Sequence, residues 1–225
     1  MRLFHLNVFS MQKLVIKEFS LQAHTEFERP VSEQQAGLSV IADSMLVAFP
    51  YALRAEDVTL FSETKLYDYR LVFRLFNGSA DVTLTSRNLI SNFRDGRTSL
   101  ALNLVAKSVE KIYQTVAIRP IQFNQLTFST HAQFESPEAY NAFMTQFVSM
   151  ERGYLSGGKI VQADAREFKG ELRFTTEKSV LIENGLFVFA QFLTKEPITG
   201  DLSEKMAKRF AEIAGFEGIE LNFPE

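Results

Sequence analysis

The chain has 225 residues, 46% of them hydrophobic, with a formal net charge of −3 and no cysteine. Without cysteine there are no disulfides, thiolate metal sites or cysteine nucleophiles, and three histidines leave little for imidazole chemistry. The acidic balance gives no general attraction to polyanions, so nucleic acid is not expected as a partner.

The stretch from Met1 to Ser10 is too short and too polar for a signal peptide or a membrane span. A strand pattern begins just after Met11, which makes Met11 a candidate for the true start. Residues 1–12 are therefore assigned as an N-terminal extension. We expect a cytoplasmic protein, bacterial in style, with no membrane contact and no cofactor.

A seven-residue pattern, H-x-x-F-E-x-P, occurs at His24–Pro30 and again at His131–Pro137. The apolar residues before the two copies match in kind, namely Leu14, Ile16, Phe19 and Leu21 in the first and Ile121, Phe123, Leu126 and Phe128 in the second. A recurring pattern of this kind is typical of an internal repeat. We predict a tandem duplication of a β-α-β-β-β-α unit, with repeats at residues 13–117 and 118–225.

In the first repeat, Pro30 suits the first turn of a helix that we predict over residues 32–47. Alternating residues from Tyr67 to Leu75 predict a strand, and Asn77-Gly78 predicts a hairpin turn. Strand pattern continues from Asp81 to Asn92. An amphipathic helix is predicted over residues 98–115.

In the second repeat, residues 136–138 supply an N-cap serine, a proline and an acid for a helix that runs to about Met150. Strand pattern follows at residues 168–174 and 180–193. The last helix opens at Asp201 and ends at Gly215.

Together these elements predict an α+β protein, in which the duplicated units form a curved antiparallel sheet with helices packed on one side. The doubled order of strands and helices resembles the saddle-shaped TATA-binding-protein-like superfold, and this resemblance implies a fold and no function. The segment from Val82 to Asn124 also resembles a sporadically distributed family of uncharacterised bacterial proteins. A glycine and a second arginine of that family's motif are missing here.

Charged residues alternate along one side of two predicted strands, in the same order of one acid followed by two bases. They are Asp68, Arg70 and Arg74 in the first repeat and Glu167, Lys169 and Arg173 in the second. We predict that these bases, with Arg87 nearby, line the concave face and contact a protein partner. The alternative interpretation, which we favour, is ordinary cross-strand charge pairing on a solvated sheet.

Each of the two histidines of the repeated pattern has a carboxylate four residues later, which pairs His24 with Glu28 and His131 with Glu135. If the two copies met, these four side chains would make a chemically sensible metal site. The favoured alternative is that each histidine hydrogen-bonds its own junction between strand and helix.

The stretch from Leu186 to Ala190 is apolar on both faces of its strand, so both faces need cover. Either the segment from Leu3 to Phe9 or a second subunit is expected to supply it, and the latter predicts a homodimer.

No catalytic motif was found, so we predict a non-enzymatic protein-interaction module. In a bacterium such a module fits a defence, immunity or chaperone-like accessory role. The second hypothesis is a binder of small or hydrophobic ligands, with a Phe-lined cavity between sheet and helix, since the chain has 22 Phe. The third is a metal-dependent enzyme that uses His24 and His131.

Overall fold

The computed structural model describes residues 11–32, 37–62, 69–96, 99–116, 121–145, 158–165, 170–196 and 200–222. Four α-helices lie in this part of the chain: α1 (Leu38–Ala48), α2 (Ser99–Val116), α3 (Pro137–Met144) and α4 (Gly200–Phe216). Ten strands lie with them: β1 (Gln12–Phe27), β2 (Val58–Ser62), β3 (Tyr69–Leu75), β4 (Ala80–Thr85), β5 (Asn88–Gly96), β6 (Ile121–Phe134), β7 (Gly158–Ala165), β8 (Gly170–Lys178), β9 (Gly185–Thr194) and β10 (Ile219–Asn222).

All ten strands form one curved, open sheet, in the order β2-β3-β4-β5-β1-β6-β9-β8-β7. Every pair along this path is antiparallel. The short strand β10 lies off the path and pairs in parallel with the start of β1. The predicted α+β class and antiparallel sheet are therefore confirmed.

The two longest strands, β1 and β6, pair at the centre of the sheet, and Leu21 lies directly opposite Phe128. The remaining strands of the first half lie on one side of this pair, and those of the second half lie on the other. In both halves the strand that comes last in the sequence lies next to the centre, and earlier strands lie further out. The first half contributes β5, β4, β3 and β2, and the second contributes β9, β8 and β7. The prediction of three strands after the first helix is thus wrong for the first half, which has four.

Several boundaries differ from those predicted. Helix α1 begins at Leu38, after Gly37 in the left-handed conformation, and not at Ser32 as predicted. The pattern from Asp81 to Asn92 spans two strands, because the chain turns at Ser86 and Arg87. The predicted cap of α3 is confirmed, since the Ser136 hydroxyl accepts a hydrogen bond from the backbone N–H of Ala139 at 3.1 Å.

A β-bulge interrupts the alternation of β1. Leu14 and Ile16 are buried, and burial then resumes at Phe19, because the register with β6 shifts between Ile16 and Glu18. The buried Thr130 holds the bulge, since its hydroxyl donates to the backbone carbonyl of Glu18 at 2.8 Å. An extra residue of this kind bends its strand and redirects the side chains beside it.

The core lies between the sheet and the helices, on what we call the helical face. The helices contribute buried residues such as Met45, Ile112, Phe143 and Ile213 to one cluster with the sheet. The Phe210 ring of α4 packs against Phe128 and Phe174, with centroid distances of 4.7 and 5.6 Å. Among the described residues, no helix combines the length and the apolar character needed to cross a membrane.

Candidate functional site

The opposite side of the sheet, which we call the open face, carries no helix of the described part of the chain. Seven side chains form a continuous row across it, one from each of seven neighbouring strands. We call them the polar row: Arg74, Asp81, Asn92, Gln22, Thr127, Gln191 and Arg173. Each lies directly opposite the next in the strand register, so the row crosses the sheet at right angles to the strands.

Hydrogen bonds join the first part of the polar row. The Gln22 side-chain amide donates to Asn92 Oδ1 at 2.7 Å, and the Asn92 amide donates to Asp81 Oδ2 at 2.8 Å. Arg94, on the same face, adds an ion pair to Asp81 at 3.4 Å. The chain of bonds fixes how the amides point, so these groups present a defined pattern of donors and acceptors.

The predicted partner-binding bases do not cluster. Arg74 and Arg173 lie at the two ends of the polar row, about 29 Å apart at ordinary strand spacing. Arg70 packs over the Phe61 ring at 5.0 Å, and Arg87 is exposed in the turn between β4 and β5. Asp68, Glu167 and Lys169 fall outside the described residues.

The predicted equivalence of the two charged strands is wrong. Counted outward from the centre, β3 is the fourth strand of its half, whereas β8 is the third strand of the other. The strand that matches β8 in position is β4. The two strands therefore share an order of charged residues but not a position in the sheet. Alternation along one strand does not specify which strands lie beside it.

An aromatic group lies beside the polar row in the second half of the open face. Phe187 and Phe189 of β9 are half-buried there, with ring centroids 6.4 Å apart, and His131 packs on Phe187 at 4.8 Å. Leu186, Val188 and Ala190 of the same strand point to the helical face and are buried. The strand is thus apolar on both faces, as the sequence indicated, and the segment proposed to cover it lies outside the described residues.

The metal site proposed for His24 and His131 does not form. His131 lies opposite Glu18, six residues along β1 from His24, so the two rings are about 20 Å apart. Glu28 and Glu135 are exposed, each just beyond the end of its strand. Within the described part of the chain, no group of three or more histidine or acidic side chains is arranged to hold a metal.

Each histidine instead holds a hairpin of its own half. His24 Nε2 lies 2.9 Å from Asn88 Oδ1, at the turn between β4 and β5. His131 Nδ1 lies 2.9 Å from Ser179 Oγ, at the turn between β8 and β9. The structural alternative therefore describes these side chains better, although the junction that they fix is a hairpin and not a helix entry.

Hydroxyl side chains start both of these hairpins, a feature that the sequence reading missed. Thr85 Oγ1 accepts hydrogen bonds from the backbone N–H groups of Arg87 and Asn88, at 3.3 and 3.0 Å. Ser179 Oγ accepts from Leu181 and Ile182 in the same way, at 3.2 and 2.9 Å. A Ser or Thr at the start of a turn was the available signal.

On the helical face, a cavity beneath α2 tests the hypothesis of a ligand site between sheet and helix. It holds about 10 Å³ and is lined, without any Phe, by Ala23, Thr25, Leu89, Ser91, Val109, Ile112 and Tyr113. That volume suits at most one water molecule. This cavity does not fit a hydrophobic ligand.

Buried polar groups lie at the edge of this cavity. The Thr25 hydroxyl donates to Asn124 Oδ1 at 2.6 Å, and the Asn124 amide donates to the Glu196 carbonyl at 2.7 Å. Burial raises the pKa of Tyr113, and a hydrogen bond with Asn124 partly opposes that rise. These groups satisfy one another, so we assign them to stability.

No protein-family model matches the chain, and a search of curated proteins found no similar sequence. The family resemblance of residues 82–124 therefore stays a prediction.

Proposed function

We propose that the protein is a non-enzymatic binding module that docks a protein partner on the open face of its sheet. The observation that carries the proposal is the polar row, with its hydrogen-bonded amides and flanking arginines, beside the Phe187 and Phe189 rings. Aromatic and arginine side chains are enriched at protein interfaces, where amides supply hydrogen bonds. Among the described residues, no helix or strand lies over this surface.

The charges of the open face favour protein over nucleic acid. Asp81 lies directly opposite Arg74, and the exposed Glu171 and Glu177 lie on the same strand as Arg173. Phosphate binding requires bases that are not neutralised by neighbouring acids. A partner with both signs of charge and an apolar patch is the complementary surface.

Binding also fits the way in which the candidate catalytic groups are used. His24 and His131 make hydrogen bonds to hairpins and lie far apart, so the third hypothesis loses the pair on which it rested. The cavity beneath α2 is too small, and lacks the Phe lining, to be the one that the second hypothesis places between sheet and helix. We therefore keep the interaction module as the proposal.

The proposal extends to the origin and setting of the protein. The matched hairpins of Thr85 and Ser179, and the outward order of strands on both sides of β1 and β6, support a tandem duplication with a TATA-binding-protein-like topology. We place the module in the cytoplasm. The open face can also bind a second copy of the chain, in a homodimer formed through Phe187 and Phe189. A defence, immunity or chaperone-like role is compatible with a separate protein partner and with a homodimer.

The test places one bulky charge at the centre of the face and a matched one elsewhere. Thr127→Arg lies in the polar row on β6, and the control Val47→Arg lies on α1, where Val47 is 80% exposed. Tagged proteins are used for capture from the native host, with bound proteins identified by mass spectrometry and size measured by light scattering. A hot-spot clash costs about tenfold or more in affinity. We expect Thr127→Arg, and not the control, to lose a partner or a dimer that wild type binds; equal retention by both variants would contradict the proposal.

A further inference from the structure

The open face has a pocket of about 210 Å³ between β5, β1 and β6. It lies beside the polar row and shares no residue with it. Its lining combines both signs of charge with hydroxyl and aromatic groups, from Glu18, Phe19, Ser20, Arg94, Ser129 and His131.

The pocket exists because β1 loses regular register with both of its neighbours. Its pairing with β6 shifts between Ile16 and Glu18, and its pairing with β5 shifts between Phe19 and Leu21. Bulges concentrate beside functional sites, where they redirect side chains. Here the buried Thr130 hydroxyl donates a hydrogen bond to the Glu18 backbone carbonyl at 2.8 Å. This bond fixes the backbone that carries the Glu18 carboxylate.

Two neighbouring cross-strand pairs of β1 and β6 supply four of the polar side chains of the pocket. Glu18 lies opposite His131, and Ser20 lies opposite Ser129, with their hydroxyl oxygens 2.7 Å apart. Arg94 comes from β5, next to Phe93, which faces Leu21. The Glu18 and Arg94 side chains line the same pocket, so both can contact one small ligand.

Three of these groups have capacity for a ligand. Among the described residues, the Glu18 carboxylate has no ion-pair partner, and Arg94 uses a single long contact of 3.4 Å to Asp81. Only one hydroxyl donates in the bond between Ser20 and Ser129, which leaves the other proton for an acceptor. The pocket therefore offers a carboxylate at one end and cationic and hydroxyl donors at the other.

We propose that this pocket binds the zwitterion of a free α-amino acid. Glu18 receives the ammonium group, and Arg94 with one serine hydroxyl receives the carboxylate. The pocket as a whole does not suit a ligand of a single charge, because Glu18 repels a simple anion and Arg94 repels a simple cation. The volume equals about seven water molecules, which is the scale of a small amino acid.

The corresponding position at the other end of the β1–β6 pair lacks this chemistry. There His24 lies opposite Gln125, so the carboxylate is replaced by an amide. The pairing of β6 with β9 is also regular through this stretch. The pocket thus does not follow from the antiparallel pairing of two similar strands; it depends on the bulge and on Glu18 and Arg94.

The experiment is isothermal titration of the full chain with each of the twenty common L-amino acids, and with acetate and methylammonium as probes of a single charge. We expect at least one amino acid to bind with a Kd below about 1 mM, and both simple ions to bind at least about tenfold more weakly. No binding by any amino acid up to about 10 mM overturns the proposal, and so does acetate binding of equal affinity.

Variants then locate the binding. Glu18→Gln and Arg94→Gln each remove one charge from the pocket, whereas Glu26→Gln and Arg54→Gln remove the same charges elsewhere on the surface. We expect a loss of about tenfold or more for the first two and less than about twofold for the controls, since charged hydrogen bonds are the strong ones. Ser129→Ala serves as a milder third variant, with a smaller loss expected. Unchanged affinity in Glu18→Gln overturns the assignment, while partner capture, measured without amino acid, remains an independent result.

Discussion

The two halves of the sheet agree on the helical face and differ on the open face. Both use a long central strand, and both begin the hairpin of their next two strands with a hydroxyl that accepts two backbone N–H groups. On the open face, however, the first half carries the bonded chain of Gln22, Asn92 and Asp81, and the second half carries Phe187 and Phe189.

This difference separates the requirements of folding from those of binding. Buried side chains and turn hydroxyls satisfy the core and the backbone, so both halves need them whatever the protein binds. The open face is under no such requirement, and its two halves have different chemistry. A partner that docks across both halves would meet polar groups on one side and aromatic rings on the other.

The largest effect is expected from the helical face, where the halves should respond alike. Leu84 of β4 and Leu172 of β8, two strands that match in position, are both 0% exposed. Replacing either by Ala should lower the free energy of unfolding by about 2–5 kcal/mol, because the burial of the side chain is lost and a cavity remains. Urea denaturation measures both. A cost near zero for one of them would show that the two halves are not packed alike.

Asn124 should show a smaller effect that belongs to the second half's central strand alone. Asn124→Ala removes the acceptor of the Thr25 hydroxyl and the donor to the Glu196 carbonyl. We expect a loss of about 2–4 kcal/mol in unfolding free energy, since buried polar partners are left without bonds. Gln125→Ala, the next residue but on the open face, is the control. Equal small losses in both variants would refute the role given to Asn124.

The two hairpins should again respond alike. Thr85→Val and Ser179→Ala each remove a hydroxyl that accepts two backbone N–H groups. Each should cost about 1–2 kcal/mol by denaturant unfolding, as the loss of a capping hydroxyl does in a helix. Thr83→Val, on the open face of β4, should cost less. If only one hairpin variant is destabilised, the matched hairpins do not have matched energetic roles.

The polar row should contribute little to stability. Asn92→Ala breaks the bonds to Gln22 and Asp81, and we expect a loss below about 1 kcal/mol, because exposed polar networks are worth little. The same variant should weaken partner capture if the row is used for binding. A large loss of stability with unchanged capture would reverse this assignment.

The smallest effect on stability is expected at the start of the first helix in each half, which is α1 in the first half and α3 in the second. Of these two helices, only α3 has a side-chain cap. A hydrogen bond with its own backbone, followed by one with Ser136, lowers the pKa of the Glu138 carboxyl. A lowered pKa in the folded state means that the contribution is present above the unfolded pKa and is lost as the pH falls through the folded one. Helix α1, with Gly37 at its N-cap and no acid in its first turn, has no such dependence.

Thermal unfolding of wild type and Glu138→Gln between about pH 6 and pH 3 tests this, because carboxyl groups titrate in that range. The wild-type midpoint should fall slightly further than that of the variant. Parallel curves would mean that the carboxylate does not favour the folded state.

Much of the fold followed from alternation and from turn chemistry. The faces of β3 and β8 were predicted correctly, with Leu71 and Leu172 buried and Arg70 and Arg173 exposed. The turn at Asn77-Gly78 was also correct, since both residues have positive φ. These features depend on local geometry, which residue types report directly.

The arrangement of the open face could not be read in this way. The polar row joins Arg74 to Arg173 through five other strands, and no local pattern encodes that register. The bulge at Glu18 depends on the buried Thr130 of another strand. Edge strand β2 was missed because Leu60 and Phe61 are about half exposed, so its residues lack a clear buried and exposed alternation.

The pairing of β10 with the start of β1 has a consequence for folding. Gln12 and Ile219, more than 200 residues apart, are direct neighbours, and among the described residues β5 pairs with β1 only from Phe19 onward. High contact order of this kind slows folding, because closure of a long loop precedes the contact that rewards it. Until β10 pairs with β1, the start of β1 has unpaired backbone N–H and C=O groups along one edge. Another polypeptide chain can form hydrogen bonds with these groups. We therefore expect removal of residues 219–222 to promote aggregation during folding, even where the truncated chain keeps most of its sheet.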